Sequence, residues 1–177
     1  MEFVQPIRDL EKIEEMKRRL PPRDSFMFTI GINVGCRISD LLQLKVKDIR
    51  GKSHLVIEES KTGKTKRFLI NQSLKQIIYD YTEDMKDEEW LFPSRKGDKP
   101  ITRVQAYRVL NKTASQIGLD EIGTHTLRKT FGYWFYKKKK DVALLQEIFN
   151  HSAPSITLRY IGINQDTMDE ALKDFNL

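Results

Sequence analysis

Apolar residues recur at intervals of three and four in the first part of the chain, which is the period of an α-helix. Asp9 can cap a helix that ends before Pro21. The apolar positions of this helix are Leu10, Ile13, Met16 and Leu20. The next segment, residues 24–34, is apolar nearly all round, and this pattern predicts a helix that is buried on every side.

Two short apolar segments, residues 54–58 and 66–70, flank the sequence K-T-G-K-T. They predict a β-hairpin in which Gly63 supplies the positive φ of the turn. Residues 46–49 are a candidate third strand. Helical patterns dominate the rest of the chain, so the predicted fold class is mostly α with a small antiparallel β-sheet (α+β), in a single domain that spans residues 1–177.

A break at Gly35-Cys36 separates the apolar helix from the next one, which Ser39 can cap. Three leucines are expected to face inward from this second helix: Leu41, Leu42 and Leu44. Arg37 is therefore held in a turn between two helices. Its guanidinium can have a structural role, by pairing with Asp40 or capping carbonyl groups, or a functional role, and spacing alone favours neither.

Four further helices are predicted to begin at Ser73, at Thr102, at Thr124 or Thr126, and at Asp141. The threonines can cap their helices. Each of these four helices has one apolar face that is expected to pack on the core. In chain order these faces consist of Leu74, Ile77, Ile78 and Tyr81 in the first helix, Tyr107, Leu110, Ala114 and Ile117 in the second, Leu127, Phe131, Trp134 and Phe135 in the third, and Val142, Leu145, Ile148 and Phe149 in the fourth. The last of the four ends at Asn150, and helices at residues 154–160 and 166–175 complete the chain.

The net charge is +6, from 31 Lys and Arg against 25 Asp and Glu. The excess is concentrated: residues 41–76 contain nine basic and three acidic residues, and residues 90–112 contain six and one. We therefore expect one basic face, which suits a polyanionic partner. Solvation remains the simpler role for any one of these charges and for the lysine run at 137–140.

The single cysteine, Cys36, excludes an internal disulfide. No apolar run is long enough to span a bilayer, and no signal-peptide pattern opens the sequence. These features predict a reducing, intracellular compartment.

The richest chemistry lies between residues 125 and 160. This segment contains H-T-L-R-K-T at 125–130, N-H-S at 150–152 and R-Y at 159–160. Two imidazoles, a guanidinium and a phenol could place two donors, a proton acceptor and a nucleophile around a single phosphorus atom. Few other substrates require this set.

The pattern resembles the catalytic signature of the tyrosine recombinase (phage integrase) family, in which an H-x-x-R box precedes a second His and, nine residues further on, a Tyr. Here Tyr160 lies nine residues after His151. G-C-R-I-S-D at 35–40 resembles the first Arg box of the family, and S-K-T-G-K at 60–64 resembles its hairpin lysine motif. The usual Leu-Gly before the second His is replaced by F-N, and Asn tolerates the left-handed conformation that Gly adopts.

The resemblance implies six catalytic residues: Arg37, Lys61, His125, Arg128, His151 and Tyr160. In this scheme the arginines and His151 bind non-bridging phosphate oxygens, Tyr160 attacks the phosphorus, and His125 accepts the phenol proton. Lys61 protonates the leaving 5′ oxygen, although a hairpin lysine is by itself more often solvated, and Lys64 and Lys66 are the other candidates. Because the phosphotyrosyl bond conserves the energy of the broken bond, no cofactor and no metal is expected.

The resemblance also implies double-stranded DNA as partner, a homotetramer on DNA, a monomer when free, and no membrane. It implies the cytoplasm of a bacterial or phage-infected cell, in association with the nucleoid. The N-terminal DNA-clamping domain of the family is expected to be absent. A C-terminal helix at about 165–176 carries one apolar stripe, which either packs on its own domain or is exchanged between protomers. The stripe is Met168, Ala171, Leu172 and Phe175.

These expectations lead to a site-specific DNA recombinase or integrase catalytic domain that works through a 3′-phosphotyrosyl intermediate. A type IB topoisomerase uses similar chemistry, and strand exchange between two duplexes would separate the two activities. A non-catalytic DNA-binding module is the alternative from another class, and covalent capture of DNA would exclude it.

Overall fold

A computed structural model describes residues 4–120, 122–123, 125–163 and 165–177, without the side chains of residues 165 and 166. The helices are α1 (Leu10–Arg19), α2 (Pro22–Val34), α3 (Ile38–Leu41), α4 (Gln72–Thr82), α5 (Arg103–Gln116), α6 (Thr126–Lys139), α7 (Val142–Phe149), α8 (Pro154–Tyr160) and α9 (Gln165–Lys173). The strands are β1 (His54–Glu58) and β2 (Thr65–Leu69). The predicted fold class is confirmed.

Helix α2 lies at the centre of the main core, as its all-round apolar pattern predicts. Its buried side chains include Phe26, Met27, Phe28, Ile30 and Val34. Helix α6 crosses it closely at Gly31, where an added Cβ would lie 2.6 Å from a methyl carbon of Leu127. The lack of a Cβ at Gly31 therefore permits the close packing of α2 against α6.

A smaller apolar cluster lies on the other side of α6. Its buried members are Leu145, Phe149, Ile161 and Ile163. Gly132 of α6 permits this packing, because a Cβ there would lie 2.6 Å from Ile161 and 2.7 Å from the Phe149 ring. Helix α6 therefore joins the two clusters, and its first turn lies where they meet.

The hairpin has the predicted antiparallel pairing, with His54 opposite Leu69 and Glu58 opposite Thr65. The predicted third strand at 46–49 is wrong, because Val46–Asp48 form a 3₁₀ helix. The Asp48 carboxylate accepts a hydrogen bond from the Lys45 backbone N–H at 2.7 Å. A side chain that caps its own backbone in this way favours a tight turn over an extended strand.

The predicted helix caps have mixed outcomes. The predicted caps Asp9 and Thr102 are confirmed, since each side chain accepts a hydrogen bond from a backbone N–H in the first turn of its helix. The helix predicted from Asp141 is present, and Asp141 caps it. The predicted cap Ser39 is wrong, because it lies inside its helix, and the helix predicted to open at Ser73 begins one residue earlier, at Gln72.

Other residues occupy the positions directly before α3 and α4. Asn71 caps α4 by accepting from the Leu74 N–H at 3.0 Å, and Arg37 precedes α3 without a side-chain cap. Thr126 lies inside α6 after His125, and its hydroxyl accepts from the Gly123 N–H. The alternative cap, Thr124, lies outside the described residues.

The predicted C-terminal apolar stripe is exposed, and its last member, Phe175, lies beyond the end of α9. Met168, Leu172 and Phe175 have relative exposures of 54%, 64% and 66%. The stripe is therefore not part of the core of this chain. None of the helices in the described residues is both long enough and apolar enough to cross a membrane.

Candidate active site

Arg37 is positioned by the end of α2. Gly35 ends this helix with a φ of 76°, and a Cβ at that position would collide with the Phe131 ring. The chain turns there and presents Arg37, whose Nη1 donates to Oε2 of Glu59. Pairing of Arg37 with Asp40, the alternative suggested by the sequence, is wrong, because the Asp40 carboxylate instead accepts from the Ser60 N–H at 3.1 Å and from its hydroxyl.

Arg128 lies in the first turn of α6 and is 6% exposed. Its Nη2 donates to the Phe149 carbonyl at 2.9 Å, and its guanidinium carbon lies 4.6 Å from the centre of the Phe149 ring. Burial lowers the pKa of Arg128, the nearby Tyr160 raises it, and the positive charge of Arg37 lowers it further. Two cationic groups are therefore held close together in a partly dry site.

Both arginines line one small cavity. Its other walls are Gly35, Cys36, Ile57, Glu59, Phe68 and Ile148. The Nε of Arg128 is buried and has no hydrogen-bond partner among the described residues. A buried donor without a partner is costly, so the hydrogen-bonding capacity of the Arg128 guanidinium is only partly satisfied in this structure.

His151 follows Asn150, which has a φ of 56° and confirms the predicted left-handed turn. The His151 Nδ1 lies 2.9 Å from the hydroxyl of Thr157, a fully buried residue of α8. Burial lowers the pKa of His151, and the charges of Arg128 and Arg37 lower it further. The contact with Thr157 fixes the ring and leaves Nε2 for another partner.

Tyr160 ends α8 and packs edge to face on two rings. Its ring centre lies 5.2 Å from that of His151 and 5.3 Å from that of Phe149, and the Lys129 ammonium lies 5.0 Å above its face. Burial raises the pKa of Tyr160, whereas the charges of Arg128 and Arg37 lower it. The phenol is therefore neutral near pH 7 and must lose a proton before it can attack an electrophile.

His125 lies directly before α6 and is exposed. Partial desolvation lowers its pKa, as do the positive charges of Lys129, Arg128, Arg103 and Arg37, in decreasing order. An imidazole with a lowered pKa is neutral near pH 7 and can accept a proton. Sequence reasoning treated Arg103 as an ordinary surface charge, and only the fold places it near His125.

Lys61 does not join this group. It is exposed in the hairpin loop and, within the described part of the chain, has no hydrogen bond or ion pair. Lys64 donates to the Asn150 side chain at 2.8 Å, and Lys66 donates to the Glu147 carbonyl at 2.7 Å. Five of the six predicted site residues are thus electrostatically coupled, and the sixth lies at the tip of the neighbouring loop.

Three contacting residues were missed by sequence reasoning: Glu59, Lys129 and Thr157. Lys129 falls inside the H-T-L-R-K-T motif, one turn after His125, so its position offered a signal. The positions of Glu59 and Thr157 in the sequence offered no such signal. Among the residues that the structure describes, no group of three His, Cys, Asp or Glu side chains is arranged to hold a metal ion.

The chain matches known proteins over nearly its full length. It is 58% identical over 178 residues to a Bacillus subtilis (strain 168) protein described as a probable integrase/recombinase, YoeC, and the match covers 99% of this chain and 98% of that protein. It is 27% identical to the tyrosine recombinase XerH of Campylobacter jejuni, over 82% of this chain and 43% of that protein.

The fold is similar to that of solved recombinase structures. A crystal structure of XerA recombinase superimposes with a TM-score of 0.76 at 18% identity, over 95% of this chain and 62% of that one. The chain thus spans the whole of one relative and about half of the longer recombinases. The sequence profile of the phage integrase family matches residues 7–166, and this chain therefore belongs to the phage integrase family.

Proposed function

We propose that this chain is the catalytic domain of a tyrosine-type site-specific DNA recombinase or integrase. The observation that carries the proposal is the convergence of Arg37 and Arg128 on one cavity, with the rings of His151 and Tyr160 packed against each other beside it. The reaction breaks a DNA strand by attack of Tyr160 on phosphorus and later rejoins a strand at the same phosphorus.

The two arginines bind the non-bridging oxygens of the scissile phosphodiester. A guanidinium offers planar, charge-assisted donors and stays protonated at any working pH. Held close together and partly dry, the two groups stabilise the charge that develops on these oxygens in the transition state. His151 adds a third donor, which Thr157 orients from its other ring nitrogen.

His125 accepts the phenol proton as the O–P bond forms. The charges of Arg128 and Arg37 favour the phenolate and so assist the loss of the phenol proton. The lowered pKa of His125 keeps its imidazole neutral and therefore able to receive that proton. The O–P bond to Tyr160 forms on the 3′ phosphate, and the bond to the 5′ oxygen breaks. Attack by another 5′ hydroxyl reverses the step, and the energy of the phosphodiester bond is conserved in the phosphotyrosyl bond.

Lys61 delivers a proton to the departing 5′ oxygen. Its loop is held at Ser60 by the Asp40 carboxylate, while the lysine side chain is exposed and has no competing partner within the described residues. A lysine placed in this way can turn toward the leaving group when DNA covers the site.

Double-stranded DNA is the partner of this reaction. A crystal structure described as XerH site-specific recombinase bound to its difH substrate, post-cleavage, shares the fold with a TM-score of 0.75 at 21% identity, over 98% of this chain and 54% of that one. The exposed stripe of α9 supports a tetramer on DNA in which this helix passes to a neighbouring protomer, with a monomer in the absence of DNA. The protein then works on DNA in the bacterial cytoplasm, at the nucleoid.

A nicked duplex that traps the covalent intermediate tests the proposal. When the short 5′ product diffuses away, the wild-type protein should stay attached to the 3′ phosphate and migrate as an adduct on a denaturing gel. Tyr160→Phe should bind the duplex normally and form no adduct, because it lacks the nucleophilic oxygen. Tyr136→Phe serves as the matched control and should form adduct at the wild-type rate, whereas adduct formation by Tyr160→Phe would refute the assignment.

A further inference from the structure

Glu59 is a buried carboxylate for which the proposed reaction has no use. Its side chain is 7% exposed, and its Oε2 accepts a hydrogen bond from Nη1 of Arg37. Within the described residues its Oε1 has no hydrogen-bond donor. Because a buried charge is costly unless it is paired, the guanidinium of Arg37 is what holds this carboxylate in place.

This contact is one of two that join the turn carrying Arg37 to the β1–β2 hairpin carrying Lys61. Glu59 reaches from the hairpin to Arg37, and Asp40 reaches from the helix after Arg37 back to Ser60. Lys61 is the next residue in the chain. The two carboxylates therefore fasten together the elements that carry a phosphate-binding arginine and the leaving-group lysine.

The charges of the cavity explain why a carboxylate is useful there. Arg37 and Arg128 line the same cavity as Glu59, and their mutual repulsion contributes to the lowered pKa of Arg128. A negative charge beside Arg37 offsets this repulsion. The guanidinium has five N–H donors in one plane, so a contact at Nη1 leaves other donors for a phosphate.

We propose that Glu59 is a positioning residue for strand cleavage: it holds the Arg37 guanidinium toward the cavity shared with Arg128, so that both arginines meet the scissile phosphate in a fixed orientation. The proposal rests on the proposed function. Glu59 acts through Arg37 and does not touch the reacting atoms.

Single-turnover cleavage of the nicked duplex, together with gel-shift titration, tests the proposal. Glu59→Gln keeps the shape of the side chain and removes its charge. We expect cleavage to slow about tenfold to a hundredfold, the scale for a misplaced reacting group, while the dissociation constant for the duplex stays unchanged. Glu59→Asp keeps the negative charge, so its cleavage rate should fall less than that of Glu59→Gln. Glu58→Gln is the matched control, because Glu58 is the exposed last residue of β1, directly before Glu59, and this variant should cleave at the wild-type rate.

A combined variant separates positioning from a merely structural role. In the Arg37→Ala background, adding Glu59→Gln should slow cleavage no further, because the group that Glu59 positions is already gone. The double variant also serves as a control for poor folding of Glu59→Gln alone. It removes both charges of the pair and therefore leaves no unpaired buried charge. If the two substitutions instead slowed cleavage independently, so that their fold-losses multiplied in the double variant, the proposal would be overturned.

Two other results would also overturn it. Wild-type cleavage by Glu59→Gln would show that the carboxylate positions nothing, and faster cleavage would show that it competes with the phosphate for Arg37. Failure of the wild-type protein to form any adduct would instead refute the proposed function itself.

Discussion

Thr157 and Thr130 form a matched pair that separates stability from catalysis. Both threonines are buried, and the hydroxyl of each makes one hydrogen bond. The Thr157 hydroxyl lies 2.9 Å from the His151 Nδ1 in the candidate site. The Thr130 hydroxyl accepts a hydrogen bond from the Ile7 backbone N–H at 2.9 Å. Valine has nearly the same shape as threonine and lacks the hydroxyl. Substituting valine therefore removes one hydrogen bond at each position without creating a large cavity.

The expected effects on stability follow from what each lost bond leaves behind. Thr130→Val leaves the buried N–H of Ile7 without an acceptor, which should lower the free energy of unfolding by about 1–3 kcal/mol. Thr157→Val leaves a ring nitrogen of His151, which is only partly buried, so water can replace the hydroxyl. The loss should be about 0.5–1.5 kcal/mol, the usual net value of one hydrogen bond.

The expected effects on cleavage run in the opposite order. Without Thr157 the His151 ring can rotate and exchange tautomers, and cleavage should slow about tenfold to a hundredfold. Thr130→Val should cleave at the wild-type rate wherever it is folded. Urea unfolding and single-turnover cleavage of the nicked duplex measure the two quantities. Equal slowing by both variants, or a wild-type rate for Thr157→Val, would refute the role assigned to this contact.

Three further results are expected. Cleavage by Lys61→Ala should be rescued by a substrate with sulfur at the 5′ bridging position, because a thiolate leaves without a proton. Selective rescue of Lys64→Ala instead would show that Lys64, not Lys61, is the general acid. Deleting residues 165–177 should leave the melting temperature unchanged, because the stripe is exposed, and should abolish cooperative gel shifts on paired sites; a large drop in melting temperature would contradict this. The pKa values of His125 and His151 are lowered in the folded state, so the free energy of unfolding should fall as the pH drops below about 6.5, where the unfolded chain binds protons that the folded chain resists. Urea unfolding at pH about 7.5 and about 5.5 checks this, and replacing either histidine with Ala should reduce the difference.

Much of the fold was predictable because it depends on local interactions. The all-round apolar pattern of α2 and the period of the later helices reflect which residues must leave water, and neither depends on distant partners. Asp9, Thr102 and Asp141 cap their helices through bonds to residues two or three positions away. The segment at 46–49 was predicted wrongly because Asp48 caps the backbone of its own turn, and this outweighs the strand preference of its apolar neighbours.

The sequence by itself also determined the candidate chemistry: Arg37 after a helix break, Lys61 in a hairpin, and Tyr160 nine residues after His151. Short spacings preserve such relations because helices and turns have fixed rises and periods. The pattern could name these residues, but it could not say what holds them in place.

Only the tertiary structure decided how the site is supported. The Glu59 contact to Arg37 joins residues 22 positions apart, and the Lys64 contact to Asn150 joins residues 86 positions apart. Such contacts depend on how α2, the hairpin and α6 pack, which Gly31 and Gly132 permit through close approach. A one-dimensional pattern records the period of each element but not the distance between elements, so the buried carboxylate beside Arg37 becomes visible only when the chain is folded.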